Sequence, residues 1–211
     1  MWSPVSLVLL ALPFALGAPQ RGRGSNLGSA STQNGLAGGC KPMMVVFARG
    51  TTEQGNVGSL AGPPWFAAME KAAGAGNVAV QGVNYPADVP GFLAGGDKKG
   101  SATMATMVMQ AITSCPDSAV VMGGYSQGGQ LVHNAAAMLP PAMAAKVSSA
   151  VIFGDPMNGK PVAGVSAAQT MVVCHTGDLI CAGTSTILMP HLTYSRDAGA
   201  AGAFAASAAG L

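Results

Sequence analysis

Five apolar runs in this chain lack any regular polar alternation, and that property narrows the possible folds more than any other. They are "MMVVFA" (43–48), "NVAVQGV" (77–83), "SAVVMGG" (118–124), "VSSAVIF" (147–153) and "TMVVC" (170–174). A strand with one wet face alternates apolar with polar residues, whereas a strand covered on both faces does not. Helical patterns fall between the runs. "PPWFAAMEKAAGAG" (63–76) sets Trp65, Phe66, Met69 and Ala73 on one face. Ser101 is placed to cap a helix whose apolar residues Met104, Met107, Val108, Ala111 and Ile112 recur at helical spacing. The segment after Ser126 reads as helix to about Leu139, and small residues from Tyr194 to Ala209 form a last one. Strands alternating with helices imply a three-layer α/β/α sandwich around a parallel sheet of about five strands. The 13 methionines fall mainly on the core faces, where they fill space.

The charge balance excludes some partners. Only 9% of the 211 residues are charged and the net charge is +2, with Arg21 and Arg23 near the N-terminus. No basic stripe remains to neutralise phosphates, so no nucleic-acid partner is expected. The first residues, "MWSPVSLVLLALPFALG", have the apolar run and small-residue end of a signal peptide, with cleavage expected after Gly17. That run is shorter than the ~20 residues a membrane span needs, so no membrane span is expected and the protein should be secreted and extracellular. Residues 18–39 are rich in Gly, Ser and Asn and read as a flexible or propeptide-like lead-in. Residues 40–211 then form a single domain.

Cys40, Cys115, Cys174 and Cys181 all lie beyond the leader. An even count in a secreted chain suggests two disulfides, and four cysteines allow three connectivities. Proximity favours Cys174–Cys181, which leaves Cys40–Cys115. Histidines at zinc-ligand spacing are missing, so no metal is expected.

Gly124-Tyr125-Ser126-Gln127-Gly128 matches G-x-S-x-G where an expected strand meets an expected helix. That junction is what a nucleophile elbow requires. A serine needs a base to attack anything, and the chain has three histidines. His133 sits two turns along the helix that Ser126 begins and cannot reach back. His175 ends a strand beside Cys174 and reads as a structural or surface residue. His191, in the loop before the last helix, is therefore the expected base. Chain order on such sheets places the acid between serine and histidine, leaving Asp155 and Asp178. Asp178 is preferred because a short Cys174–Cys181 ring would hold it rigidly, while Asp155 should bond backbone amides at its turn. For an oxyanion, the backbone N–H of Gln127 is one donor, and Thr51 in "ARGTTEQGN" offers an N–H and a hydroxyl as the second.

At these residues the chain resembles the fungal cutinases, small secreted serine esterases. The matching stretches are "ARGTTEQGN", "GGYSQGG", "CHTGDLIC" and "PHLTY", in family order between about Cys40 and Ala198. The resemblance implies an α/β-hydrolase fold without a full lid, with the serine open to solvent. It also implies Ser126, Asp178 and His191 as a triad, Thr51 and Gln127 as oxyanion donors, and the two bridges chosen above. The implied activity is hydrolysis of cutin and short-chain esters; no cofactor is expected, and the protein is expected to be a monomer. Ile187, Leu188, Met189 and Leu192 flank His191 as an apolar wall for an acyl chain, and "YPADVPGFL" (85–93) can form the opposite rim. Thr51 stands where many cutinases have serine. "VNYPADVPGF" and "FGDPMNGK" look closer to the acetylxylan-esterase branch, so an acylated polysaccharide is the alternative substrate to a plant polyester. The alternative of another class is a non-catalytic secreted binding or elicitor protein on the same fold.

Overall fold

A computed structural model describes Met1 and residues 27–211. The expected signal peptide and residues 18–26 lie outside the described residues. Five strands form one sheet: β1 (Met43–Ala48), β2 (Val78–Gly82), β3 (Ala119–Tyr125), β4 (Val147–Phe153) and β5 (Thr170–Val173). Their order is β2-β1-β3-β4-β5 and every pairing is parallel. Around them lie α1 (Gly62–Ala73), α2 (Val89–Leu93), α3 (Lys98–Ser114), α4 (Gln127–Met138), α5 (Pro141–Ala144) and α6 (Ala198–Ala208).

The two-sided burial expected of the strands is visible residue by residue. Along β1, Met43, Val45 and Phe47 pack with Trp65, Phe66 and Met69 of α1 and with Ala201 and Ala205 of α6. The intervening Met44, Val46 and Ala48 pack with Met104 and Val108 of α3 and Leu131 of α4. Successive side chains of a strand point to opposite faces, so both sets must be apolar when helices cover both faces. The aromatic side chains concentrate on the α1–α6 side, where Phe47 and Phe66 meet edge-to-face at 5.1 Å.

Two local expectations change. The N-cap of α3 is Asp97, whose carboxylate accepts the Gly100 N–H at 2.5 Å; Ser101 lies buried inside the helix and donates to the Asp97 carbonyl. Nor is the lead-in loose through residue 39. Residues 27–39 are placed against the fold, with Leu27 and Gln33 buried. The Ser31 carbonyl accepts the N–H groups of Asn56 and Val57, and the Gln33 carbonyl accepts that of Gly82. The Asn56 side chain, 1% exposed, completes the tie by exchanging two hydrogen bonds with the Gln33 backbone. Glycine-rich composition suggested flexibility, but backbone bonding to a buried asparagine holds this strap in place.

Both expected disulfides are present. Cys40–Cys115 ties the start of β1 to the end of α3, and Cys174–Cys181 closes a ring just after β5.

Candidate active site

In an open parallel sheet, ligands bind beyond the carboxyl ends of the strands, where the strand order reverses direction. In this sheet the reversal lies between β1 and β3, and the residues that follow those two strands include Thr51 and Ser126.

Ser126 separates β3 from α4 with no intervening loop. Its backbone sits at φ 56°, ψ −120°, a region that non-glycine residues rarely adopt. The strain is fixed from both sides: the Ser126 N–H donates to the Phe153 carbonyl at 2.9 Å, and its carbonyl accepts the Gly129 N–H at 2.8 Å. The flanking glycines serve close packing. A Cβ on Gly124 would strike the Gly128 carbonyl, and one on Gly128 would strike the Ala48 carbonyl of β1. The first turn of α4 therefore lies directly against the end of the sheet, with the Gln127 N–H among those lacking an intrahelical acceptor.

The candidate acid and base come from later in the chain. Asp178 lies inside the Cys174–Cys181 ring, and His191 lies on a 3-10 turn, Met189–Leu192. His191 Nδ1 is 2.8 Å from Asp178 Oδ2, and both residues are buried. The same carboxylate oxygen accepts the Tyr194 hydroxyl, and Oδ1 accepts the Ile180 N–H at 3.0 Å. Burial alone raises the Asp178 carboxyl, but the Tyr194 and His191 hydrogen bonds, the charge on His191 and the Ile180 N–H outweigh it. The carboxyl is held below the ordinary aspartate range. Tyr125 braces the other side of His191: its ring stacks on the imidazole at 5.1 Å and its hydroxyl donates to the His191 carbonyl at 2.8 Å. His191 Nε2 is buried without a hydrogen-bond partner, and Ser126 makes no hydrogen bond to it. Such contacts often close only when substrate is bound.

Across the switch point, Thr51 faces Ser126 over a cleft of about 230 Å³. The Gln127 side chain donates from Nε2 to Thr51 Oγ1 at 2.9 Å and to the Asp88 carbonyl at 2.8 Å. With its oxygen accepting, the Thr51 hydroxyl is free to aim its hydrogen into the cleft. The loop behind Thr51 is rigidly built. The Glu53 carboxylate accepts the N–H groups of Gly50, Ser59 and Leu60, all at 2.8–2.9 Å. The buried Arg49 guanidinium donates to the Glu53 and Tyr85 carbonyls at 2.7 and 2.8 Å and lies over the Tyr85 ring.

The rest of the cleft is apolar: Val89, Phe92 and Leu93 from the α2 region on one side, Ile180 and Ile187 on the other. The expected 85–93 rim is thus present. Of the expected wall, Ile187 lines the cleft, whereas Leu188, Met189 and Leu192 do not. The chain turns at Met189–Leu192, and Met189 faces a separate depression with His175, Pro190 and Arg196. Ser126 is 5% exposed and lines this cleft.

The remaining histidines have partners of their own. His133 pairs with the buried Asp155 at 2.9 Å, while the other Asp155 oxygen accepts the Met157 N–H as expected. His175 lies 2.7 Å from Asp197. Among the described residues no group of histidines, cysteines and carboxylates is arranged to hold a metal.

Sequence reasoning missed the hydroxyls behind these groups. All three tyrosines of the chain direct their hydroxyls into the site's framework: Tyr85 to the Arg49 carbonyl, Tyr125 to His191 and Tyr194 to Asp178. Burial pushes all three phenols well above their ordinary titration range, so they remain donors. The available signal was scarcity, since a buried tyrosine in so apolar a chain needs a polar partner.

A five-stranded parallel sheet covered by helices on both faces, with a serine on a strained strand-to-helix turn at its switch point, defines the α/β-hydrolase class of fold. The comparisons with known proteins sharpen the class. The cutinase family model matches residues 39–209. A cutinase of Botryotinia fuckeliana is 58% identical over 183 residues, covering 87% of this chain and 91% of the relative. One from Pyrenopeziza brassicae is 59% identical over 170 residues, covering 81% and 84%. Among solved structures, a Trichoderma reesei cutinase in complex with a phosphonate inhibitor superposes with a TM-score of 0.81 at 47% identity, covering 85% of this chain and 80% of that one. An acetylxylan esterase at 24% identity and a TM-score of 0.65 shares the fold. The chain belongs to the cutinase family, whose members are carboxylic ester hydrolases.

Proposed function

We propose that this protein is a secreted cutinase that hydrolyses esters through an acyl-enzyme on Ser126. The observation that carries the reading is the buried, unpartnered Nε2 of His191, on a ring whose Nδ1 is already bonded to Asp178. With Nδ1–H donated to the carboxylate, Nε2 presents the lone pair that a general base needs.

In the forward step His191 Nε2 takes the Ser126 hydroxyl proton as Oγ attacks the ester carbonyl carbon. The carbonyl oxygen becomes an oxyanion, met by the Gln127 N–H, the Thr51 N–H and the Thr51 hydroxyl. Protonated His191 then returns its proton to the leaving alcohol. Water, activated by the same nitrogen, attacks the acyl-enzyme and releases the acid and free Ser126. Asp178 stays ionised throughout, holds the ring's tautomer and offsets its charge. Two disulfides fit an oxidising compartment and support secretion.

The apolar cleft favours an acyl chain longer than acetyl, and so a polyester such as cutin over acetylated xylan. Each methylene buried is worth about 0.8 kcal/mol, roughly fourfold in kcat/KM. The deciding experiment compares acetyl, butyryl and hexanoyl esters, with cutin and acetylated xylan alongside. We expect kcat/KM to rise beyond acetyl until the cleft is filled, Ile187→Ser to flatten the rise, and Met189→Ser to leave it unchanged. A strict acetyl preference would defeat the substrate assignment, and full activity in Ser126→Ala would defeat the mechanism.

A further inference from the structure

His175 takes no part in the chemistry above, yet its ring touches three parts of the segment that carries His191. Nδ1 lies 2.8 Å from the carbonyl oxygen of Pro190, the peptide immediately before His191. Nε2 lies 2.7 Å from Asp197 Oδ2, at the entry to α6. The ring stacks on Tyr194 with 4.2 Å between centroids and 22° between planes. Its backbone N–H donates to the Tyr194 hydroxyl at 3.1 Å, the same hydroxyl that donates to Asp178. The His175 side chain is 22% exposed, so these contacts are only partly open to water.

The identity of the two ring partners is informative. A backbone carbonyl and a carboxylate both accept hydrogen bonds and have no hydrogen to give. A neutral imidazole carries one N–H and one lone pair, so it satisfies one of these acceptors and turns a lone pair on the other. Only the doubly protonated ring satisfies both. Thr193 Oγ1 lies 3.3 Å from Nδ1 and 3.2 Å from the Pro190 carbonyl, so its hydrogen can serve either; given to Nδ1, it would still leave a ring lone pair facing that carbonyl oxygen at 2.8 Å.

We propose that His175 is a positioning residue: an imidazolium clamp that fixes the Pro190–His191 peptide against the end of β5 and so aims the His191 ring at Ser126. The proposal rests on His191 being the base. The charged and titratable groups facing the clamp are Asp197 and Arg196 from the segment before α6, the Tyr194 phenol, and Asp178 behind it. Loss of the second ring proton sets a lone pair against one acceptor and releases one of the two ties. The clamp therefore needs both ring N–H groups, and its hold on the Pro190–His191 peptide weakens when either is removed.

Arginine separates this role from simple packing. Its planar guanidinium stacks on an aromatic ring, donates in two directions and does not titrate. The test measures kcat and KM on a short-chain ester across pH for wild type, His175→Ala and His175→Arg, with His191→Ala as control. It is joined to 15N–1H spectra of the histidine side chains in the intact protein. We expect both His175 ring nitrogens to carry protons in the active enzyme. Displacing a reacting group by a fraction of an ångström is costly, so His175→Ala should lose about tenfold in kcat with KM within about twofold. His175→Arg should restore kcat, because its guanidinium can still donate to both acceptors. Should His175→Ala not fold, Asp197→Asn and His175→Arg still report on the clamp. A neutral His175 in the spectra, or a His175→Ala profile that superposes on wild type, overturns the proposal. Activity surviving in His191→Ala instead overturns the catalytic reading on which it rests.

Discussion

Replacing Ser126 by glycine should make the protein more stable while destroying its activity, and the size of the effect follows from one pair of backbone angles. At φ 56°, ψ −120°, Ser126 occupies a region that costs a residue with a Cβ about 1–3 kcal/mol. Glycine adopts positive φ without that cost but loses more backbone freedom on folding, about 0.5–1 kcal/mol. Taking the middle of each range, the net expectation is a gain of about 1.2 kcal/mol, and a domain of this size should gain roughly 2–5 °C in Tm. Alanine is the proper reference, because it removes the hydroxyl but keeps the Cβ and hence the strain. Ser126→Ala should therefore match wild type within about 0.5 kcal/mol. Urea unfolding of the three proteins, with both disulfides intact, measures the difference. If Ser126→Gly is no more stable than Ser126→Ala, the elbow is not strained and the account of how Ser126 is held forward fails.

Three further perturbations test the surrounding framework. Tyr194→Phe removes a hydroxyl from a buried carboxylate, which should cost about 1.5–3 kcal/mol near neutral pH. Asp178 has a depressed folded-state pKa, so its stabilisation is present above the unfolded value and lost as pH falls through the folded one. Without Tyr194 the folded value moves up, and the acid-unfolding midpoint should shift to higher pH; an unchanged midpoint would remove Tyr194 from the account. Thr51→Val keeps the shape but loses the hydroxyl, and kcat should fall about 10²–10³-fold with little change in KM; steady-state kinetics on a soluble ester checks this. Deleting residues 1–39 should cost about 2–5 kcal/mol in urea unfolding, because the bonds from Ser31 and Gln33 to Asn56, Val57 and Gly82 are lost.

The layers and the order of the catalytic candidates were legible because they rest on local pattern. Short uninterrupted apolar runs rich in β-branched residues, set between helical patterns, read as strands covered on both sides, and a G-x-S-x-G between such a run and a helical pattern has few other readings. Asp178 was separable from Asp155 because a seven-residue separation between cysteines announces a rigid ring. What stayed hidden depends on contacts between residues distant in sequence. No periodicity links Gln127 to Thr51, or Tyr125 to the carbonyl of His191, 66 positions away. The strap at residues 31–34 was misread because composition reports what a segment lacks in apolar side chains. Its order comes from backbone groups and from one buried asparagine. The apolar wall was misjudged because adjacency to His191 in sequence does not survive a tight turn, which sends Met189 to the other side.

The most direct test of the central claim is the mass of the enzyme quenched in acid during turnover of a slowly hydrolysed ester. Acid unfolds the enzyme and stops water from releasing the acyl group. The account predicts one acyl adduct per chain, found on the peptide that contains Ser126 and missing from Ser126→Ala. An adduct on another residue, or full turnover with no adduct at any quench time, would contradict it.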